Sequence, residues 1–319
     1  MTVIDVRRLR KSYGDVRAVR DVSFAVERGE IFGILGRNGA GKTTTVECVA
    51  GLARRDGGAI SVLGRDPQDG DPALRERVGV QLQSGALPDK LRVGEAIDLF
   101  ASFYRAPADR VELLDLLGLA DVRDRPFDAL SGGQRQRLSI ALALVGRPEV
   151  AILDELTTGL DPAARRATWE LIGEIRARGV TIVLVTHFME EAERLCDRVA
   201  LIDGGRVVAV DTPAGLTARA AREQRIRFRP DRPVDPALLR ALAPVSSVEA
   251  LGGGELVLGG GDGLLFALVT TLAEMGVEPL ELRLEQASLE DAFLALTADG
   301  PPASAAAEAG APSRAEAVA

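Results

Sequence analysis

Short, continuous apolar runs recur along the first two thirds of the chain, separated by segments with helical patterns. The runs at residues 31–35, 150–153 and 180–186 contain almost only apolar side chains, which is typical of strands buried on both faces of a parallel sheet. Residues 3–6 and 19–26 instead alternate apolar and polar side chains and predict a small antiparallel sheet ahead of the first buried strand. The pattern therefore predicts an α/β fold for this part of the chain.

A helical segment is inserted among these strands. A strand at residues 77–83 ends in a glutamine, and in residues 93–104 apolar side chains recur at i, i+3, i+4 and i+7, which predicts a helix with one buried stripe. A second helix is predicted at residues 108–117, where Gly118 ends it. We expect a separate helical lobe at about residues 84–146.

The chain beyond residue 220 has a second, smaller α+β pattern, in the order βαββαβ that is typical of ferredoxin-like domains. Its strands are predicted at residues 224–228, 247–250, 255–258 and 278–284, and its helices at residues 236–242 and 264–275. Ser288 and Asp291 form a capping box for a last helix that ends near Leu296. We therefore divide the chain into residues 1–215, a C-terminal domain at residues 220–298, and an alanine- and proline-rich tail at residues 299–319 that is expected to be disordered. The fold order leaves open whether the C-terminal domain tethers two copies or only packs on its own chain.

Charge and cysteine content narrow the functional classes. The 319 residues include 39 basic and 47 acidic side chains, and the net charge of −8 offers no overall basic field for nucleic acid. Cys48 and Cys196 lie far apart, no Cys-x-x-Cys motif occurs, and there is one histidine, so neither a zinc site nor a disulfide framework is indicated. The N-terminus has no apolar signal core, and no run approaches the ~18 apolar residues that would cross a bilayer. We expect a soluble cytosolic protein with reduced thiols.

A glycine-rich segment directly after the run at residues 31–35 carries the first candidate chemistry. Two glycines separated by four residues and followed by Lys42 and Thr43 match the phosphate-loop pattern, in which backbone N–H groups and a helix N-terminus face phosphate oxygens. Lys42 would reach the β- and γ-phosphates, and the Thr43 hydroxyl would bind magnesium. The alternative is an ordinary glycine-rich turn with an exposed lysine. The candidate nucleotide-binding residues here are Gly36, Arg37, Asn38, Gly39, Ala40, Gly41, Lys42, Thr43 and Thr44.

Polar side chains also follow two other buried strands. Asp154 and Glu155 come directly after the run at residues 150–153, and His187 follows the run at residues 180–186. Ligands bind at this edge of open α/β sheets. Asp154 is suited to hold magnesium, and Glu155 to orient or deprotonate an attacking water. The alternatives are a solvated acidic pair and a histidine that only packs.

Helix caps and one aromatic residue complete the candidates. Ser131 is a good N-cap, but it is followed by two glycines, each of which disfavours a helix by up to ~1 kcal/mol relative to alanine. Close approach of a phosphate to exposed backbone N–H groups explains these glycines better. Asp161 is the N-cap of a later helix, and Tyr13 is either ordinary strand-edge packing or a stacking platform for adenine. The candidate phosphate-binding residues at the Ser131 cap are Ser131, Gly132, Gly133 and Gln134.

With these motifs in this order, the first 215 residues closely resemble the nucleotide-binding subunit of ATP-binding-cassette (ABC) transporters. The Ser-Gly-Gly-Gln segment distinguishes that family from other phosphate-loop ATPases. Gln83 is preferred to Gln81 as the Q-loop glutamine because it ends the predicted strand. Arg37 stands where the loop commonly has proline, and Leu156 where a proline commonly restricts the backbone of the catalytic glutamate. The resemblance implies that Tyr13 stacks on adenine, residues 36–44 are Walker A, Gln83 is the Q-loop, residues 131–134 are the signature, Asp154 is Walker B, Glu155 is the general base, Asp161 is the D-loop and His187 is the switch histidine.

The resemblance also implies cofactors and partners. ATP and magnesium are expected, with the metal held by Thr43, Gln83 and Asp154, and two copies of the chain are expected to sandwich two ATP molecules. A permease on a separate polypeptide would hold the chain at the inner face of the cell membrane. The C-terminal extension resembles that of drug exporters of the daunorubicin-resistance type and predicts export of a drug-like or other hydrophobic compound. The alternative is a soluble cassette ATPase of DNA repair or translation; one cassette and no heptads disfavour it, and no nucleic-acid partner is expected.

Overall fold

A computed structural model describes residues 1–82, 87–220, 224–285 and 288–298 of the chain. Gln83 and the tail that is predicted to be disordered lie outside the described residues. The strands are β1 Thr2–Tyr13, β2 Val16–Glu27, β3 Ile31–Leu35, β4 Gly57–Val62, β5 Val78–Gln81, β6 Val150–Asp154, β7 Thr181–Thr186, β8 Arg198–Asp203, β9 Arg206–Asp211, β10 Gln224–Pro230, β11 Val245–Ala250, β12 Leu256–Gly260 and β13 Pro279–Glu285. The helices are α1 Lys42–Val49, α2 Pro72–Arg75, α3 Val93–Ala101, α4 Arg110–Leu116, α5 Gly132–Leu144, α6 Pro162–Ala177, α7 Met189–Leu195, α8 Pro213–Ala220, α9 Pro236–Arg240, α10 Leu264–Glu274 and α11 Leu289–Ala298.

The larger sheet has the strand order β4-β1-β2-β9-β8-β3-β7-β6-β5. Its centre is parallel, from β5 through β6, β7 and β3 to β8. Strands β1, β2 and β4 form the predicted antiparallel arm. Both long strands of the arm extend further than predicted, because the turn at Gly14, with φ +57°, lets them continue to Tyr13 and from Val16. The predicted α/β fold is confirmed.

Strand β3 lies between two apolar cores and is buried along its whole length. Ile31 and Leu35 face the core that includes the helical lobe, whereas Phe32 and Ile34 face the core that includes the antiparallel arm and α1. This alternation follows from the two-residue period of a strand. The phosphate-loop segment therefore leaves a strand that is fixed from both sides.

The smaller sheet has the order β11-β12-β10-β13 with every neighbouring pair antiparallel. With α9 and α10 as its connecting helices, this is the ferredoxin-like arrangement that the order of elements predicted. Its own core is formed around Ile226, Phe228, Leu258 and Leu268. The C-terminal unit can therefore bury apolar surface independently of the larger sheet.

The position of helix α11 differs from the predicted domain division. Residues 288–298 were expected to belong to the C-terminal domain, but α11 packs against α7 and α8 of the larger unit. Its buried side chains Leu289, Ala292 and Phe293 join the core that includes the helical lobe. Their spacing of i, i+3 and i+4 gives one apolar helix face, and that face covers the larger unit instead of the smaller sheet.

Within the described ranges, none of the helices is both long enough and apolar enough to cross a membrane.

Candidate active site

The glycine-rich segment forms a tight loop between β3 and α1. Gly41 has φ +97°, and a Cβ atom there would lie 2.3 Å from the carbonyl oxygen of Ala18. A Cβ atom at Gly36 would lie 2.2 Å from the carbonyl oxygen of Ile202. Only glycine fits at these two positions, and the helix begins directly afterwards at Lys42.

The side chain of Lys42 is folded into this loop. Its ammonium donates hydrogen bonds to the carbonyl oxygens of Gly36 at 2.9 Å and Arg37 at 3.1 Å, and only 5% of the residue is exposed. Burial lowers the pKa of Lys42, while Glu155 and Asp154 act in the opposite direction. The alternative of a turn with an exposed lysine is therefore wrong.

Asp154 lies fully buried at the end of β6, facing α1. Its Oδ2 accepts a hydrogen bond from the Thr43 hydroxyl at 3.2 Å, while its Oδ1 has no hydrogen-bond partner in the part of the chain that the structure describes. Burial raises the pKa of Asp154 to about 6, against the effect of the Thr43 hydrogen bond. Asp154 is thus not part of a solvated acidic pair, and its free oxygen suits a cation or another donor.

Glu155 leaves the strand at a sharp bend and meets the histidine from β7. Its φ of +50° is unusual for a residue with a side chain, and its backbone N–H donates to the carbonyl oxygen of Val185 at 2.9 Å. One carboxylate oxygen lies 3.2 Å from Nδ1 of His187. Leu156 is completely buried in the core. The backbone on both sides of Glu155 is therefore fixed without a following proline.

Several of these residues share one cleft of about 470 Å³. Tyr13 does not line it; the residue is 45% exposed and the Lys11 ammonium lies 4.9 Å from the centre of its ring. The start of β2 lines the cleft instead, which the sequence did not suggest. The lining residues are Val16, Arg17, Ala18, Asn38, Gly39, Gly41, Lys42, Thr43, Thr44 and Glu155.

Gln83 was preferred to Gln81 as the Q-loop glutamine because the predicted strand ended at Gln83, and the structure ends this strand earlier. Strand β5 ends at Gln81, not at Gln83, and Gln83 lies outside the described residues. The Gln81 side chain is buried and accepts a hydrogen bond from the Asp154 backbone N–H at 3.1 Å, while its amide donates to the Leu82 carbonyl oxygen at 2.9 Å. Gln81 thus positions the backbone of Asp154, a role that only its inward position in the strand could have suggested.

The segment at residues 131–134 lies away from this cleft. The Ser131 hydroxyl accepts from the Gln134 backbone N–H at 3.3 Å, and the Ser131 N–H donates to the Gln134 side chain at 3.0 Å, which forms a capping box at the start of α5. Ser131 and Gly132 are exposed, and Leu160 is nearest to a Cβ atom placed on Gly132, at 3.9 Å. Asp161 caps α6 by accepting from two backbone N–H groups at 2.9 Å. Of the described residues, none from this segment lines the cleft.

Comparison with known proteins agrees with this geometry. The ABC transporter family matches residues 19–158. A Nod factor export ATP-binding protein I from Ralstonia nicotianae is 39% identical over 302 residues, covering 92% of this chain and 94% of that protein. The chain belongs to the ATP-binding subunits of ABC transporters.

The relatives cover the C-terminal unit as well as the cassette. A daunorubicin resistance ATP-binding protein DrrA3 from Streptomyces coeruleorubidus is 36% identical over 307 residues, with 93% of this chain and 96% of that protein covered. A solved structure described as the ATP binding subunit of an ABC transporter is 32% identical, has a TM-score of 0.61, and covers 68% of this chain and 92% of its own. The chain is therefore an ATPase subunit of exporter type that couples ATP hydrolysis to transport, and a soluble cassette ATPase is not favoured.

Proposed function

We propose that the chain hydrolyses ATP at two sites shared between two copies of itself and thereby drives export of a drug-like or other hydrophobic compound through a separate permease. The names of the two relatives, which mention Nod factor export and daunorubicin resistance, support the direction and the substrate class. The permease would hold the ATPase at the inner face of the cell membrane. The observation that carries the proposal is the Glu155 and His187 pair beside the phosphate-loop cleft.

The cleft would bind the triphosphate through its loop. Lys42 would exchange its two bonds to loop carbonyl oxygens for the β- and γ-phosphates, which gives its buried charge a better partner. Backbone N–H groups at the start of α1 would add partial positive charge. Tyr13 stays a prediction for adenine; at the end of β1 it is exposed to solvent, which leaves it accessible for stacking.

The residues around Asp154 fit magnesium. A buried carboxylate with one free oxygen and an adjacent hydroxyl, Thr43 Oγ1, offer the hard oxygen ligands that magnesium prefers. Among the described residues, no group of three or more His, Cys, Asp or Glu side chains is placed to hold a metal ion; magnesium in nucleotide sites commonly takes its other ligands from phosphates and water. Asp154 and Thr43 would hold the ion, which when bound would neutralise charge on the β- and γ-phosphates. Gln83 stays a predicted third ligand.

Glu155 is the proposed general base. Its carboxylate would accept a proton from water as the water oxygen bonds to the γ-phosphorus, the bond to the β,γ-bridging oxygen breaks, and ADP leaves with that electron pair. His187, 3.2 Å from this carboxylate, would hold it in place and contact the γ-phosphate. The strained φ of Glu155 and the buried Leu156 support a fixed orientation.

A second copy would complete each site. Ser131, Gly132 and Gly133 stand at the start of a 13-residue helix, where Ser131 and Gly132 are exposed and Gly133 is half-buried. No acidic residue occurs in the first turn of this helix, so its N–H groups suit an anion brought by another molecule. We infer that they contact the γ-phosphate bound to the partner, and that Asp161, near this surface, lies at the same interface.

Trapping the two-copy state tests this proposal. Glu155→Gln should still bind ATP and magnesium but elute as a dimer in size exclusion with ATP, because the phosphate contacts remain and water activation is lost. Glu155→Gln combined with Ser131→Arg is the matched control: the ATP-binding cleft is unchanged, so ATP binding should persist while the dimer disappears. A protein that stays monomeric with ATP in both cases would contradict shared sites.

A further inference from the structure

Helix α11, the last helix that the structure describes, lies against the segment that follows His187. Helix α11 packs on α7, which begins two residues after the histidine, and on α8. Its residues Leu289 and Phe293 are at most 3% exposed. The chain thus returns after the ferredoxin-like unit to cover the side of the cassette where β7 delivers its histidine.

A hydrogen bond fixes the start of α11 to α7. The Glu193 carboxylate accepts from the buried backbone N–H of Leu289 at 2.6 Å. Leu289 is the first residue of the helix, where an N–H group has no partner within the helix, and a carboxylate also complements the positive end of the helix dipole. The N–H group of Asp291, also in the first turn, donates to the Ser288 hydroxyl at 3.1 Å. Glu193 thus fixes the start of α11 to α7, beside the apolar contacts between the two helices.

The same helix also reaches the phosphate loop. The guanidinium of Arg37 lies 5.9 Å from the centre of the Phe293 ring, within the range of a cation–π contact. Arg37 stands at the loop position where the family commonly has proline. Together the phosphate loop, residues 187–190 and α11 line a cavity of about 580 Å³, whose lining includes Asn38, His187 and Phe293. One helix therefore contacts both segments that would meet the γ-phosphate.

The opposite side of α7 is held by a different element. The Trp169 ring N–H donates to the fully buried Glu191 carboxylate at 3.0 Å, which connects α7 to α6. Arg165 of α6 lies over the Phe188 ring at 4.9 Å. The segment after His187 is thus held between α6, which Asp161 caps, and α11.

We propose that α11 is a positioning element of the ATPase site, which holds His187 in register with Glu155 through the bond between Glu193 and Leu289. The inference rests on the role proposed for His187 in hydrolysis. Glu193 and Phe293 are positioning residues, since they act through α7 and the phosphate loop and do not touch the nucleotide cleft. A small displacement of His187 would separate it from Glu155, which lies only 3.2 Å away.

Steady-state ATPase kinetics of the full chain test this inference. Glu193→Ala should lower kcat about tenfold with KM for ATP within about twofold, because misplacement of a catalytic group by ~1 Å costs rate more than binding. Glu193→Gln keeps an acceptor oxygen and should restore most of kcat. Asp235→Ala is the matched control: it removes the cap that accepts from the Ala237 N–H at the start of α9, in the ferredoxin-like unit, and should leave kcat unchanged.

The outcomes separate this inference from the proposed function. If His187→Ala lowers kcat and Glu193→Ala does not, the positioning role is overturned while the role of His187 stands. If kcat, KM and the melting temperature change together in Glu193→Ala, or if Glu193→Gln loses as much kcat as Glu193→Ala, α11 only completes the core and the inference fails. If His187→Ala itself leaves turnover unchanged, both proposals fail.

Discussion

Replacing Asp154 by asparagine tests whether its buried carboxylate is kept ready for a cation. Asp154 is fully buried, and its Oδ1 has no hydrogen-bond partner among the residues described. Burial is the main cause that raises its pKa from 3.8 to about 6; the Thr43 hydrogen bond opposes the rise and Glu155 adds to it. In the absence of a cation, the ionised side chain is therefore expected to destabilise the folded protein at neutral pH.

The size of the effect follows from these two pKa values. A group whose pKa is raised by folding contributes stability that is fully present below its unfolded pKa and lost as pH rises through its folded pKa. With a pKa of 3.8 in the unfolded chain and about 6 in the folded protein, Asp154 lowers the free energy of unfolding by about 3 kcal/mol at pH 7.5 but by only about 0.5 kcal/mol at pH 4. Without metal, the free energy of unfolding of Asp154→Asn relative to wild type should therefore rise by about 2.5 kcal/mol from pH 4 to pH 7.5. Burial of the new asparagine amide costs about 1–3 kcal/mol of stability, but this cost is the same at pH 4 and pH 7.5 and therefore does not change the difference between the two pH values.

Urea unfolding in the presence of EDTA, at pH 4 and pH 7.5, measures the two free energies of unfolding on either side of the sequence pI of about 5.0. Asp161→Asn is a control of opposite sign, because backbone N–H groups lower the pKa of that exposed cap; the variant should lose stability relative to wild type as pH rises. Magnesium with ATP at pH 7.5 should favour wild type over Asp154→Asn, since binding stabilises the folded state. A stability difference between Asp154→Asn and wild type that is the same at both pH values would refute the reasoning.

Four further substitutions test the site and the packing beneath it. Lys42→Ala should abolish ATPase activity by weakening triphosphate binding, and normal ATP affinity in a calorimetric titration would contradict that role. His187→Ala should lower kcat at least about tenfold with little change in ATP affinity; weaker binding with unchanged kcat would indicate a packing role. Gly79→Ala should cost about 1–3 kcal/mol of unfolding free energy, because its Cβ would lie 2.0 Å from the Ala143 carbonyl oxygen. In the same denaturation assay Gly173→Ala, on α6 with nothing within 4 Å, should stabilise by about 0.5–1 kcal/mol; similar effects of both would contradict the packing.

Much of the candidate site could be predicted because its parts follow buried strands. Lys42 and His187 come after β3 and β7, and Asp154 is the last residue of β6. Strand β7 pairs in parallel with both β3 and β6. The carboxyl ends of parallel neighbours meet at one edge of the sheet, so local sequence patterns were enough to bring these residues together. The order of the ferredoxin-like elements could be predicted for a similar reason, since turns and periodicity are local features of the sequence.

Details of the site that depend on strand pairing could not be predicted from the sequence. Pairing of β5 with β6 matches Gln81 with Leu153, and this places the Gln81 amide next to the Asp154 backbone. Whether β5 ends at Gln81 or two residues later depends on hydrogen bonds to β6, which no pattern within β5 reveals. The contribution of Ala18 to the cleft is also non-local, because it follows from how the antiparallel arm packs beside the phosphate loop.

The position of α11 shows why an apolar helix face does not by itself reveal its partner. The spacing of Leu289, Ala292 and Phe293 specifies a face, and sequence proximity suggested the ferredoxin-like sheet. Packing of α11 on the cassette has a small entropic cost, because closing a loop of about 70 residues instead of about 10 costs only about 2 kcal/mol more. Burial of Leu289 and Phe293 contributes about 3–6 kcal/mol, which exceeds that cost. Because α11 packs on α8, the ferredoxin-like unit is physically an insertion between two cassette helices, and a deletion that spares α8 and α11 should leave the cassette core whole.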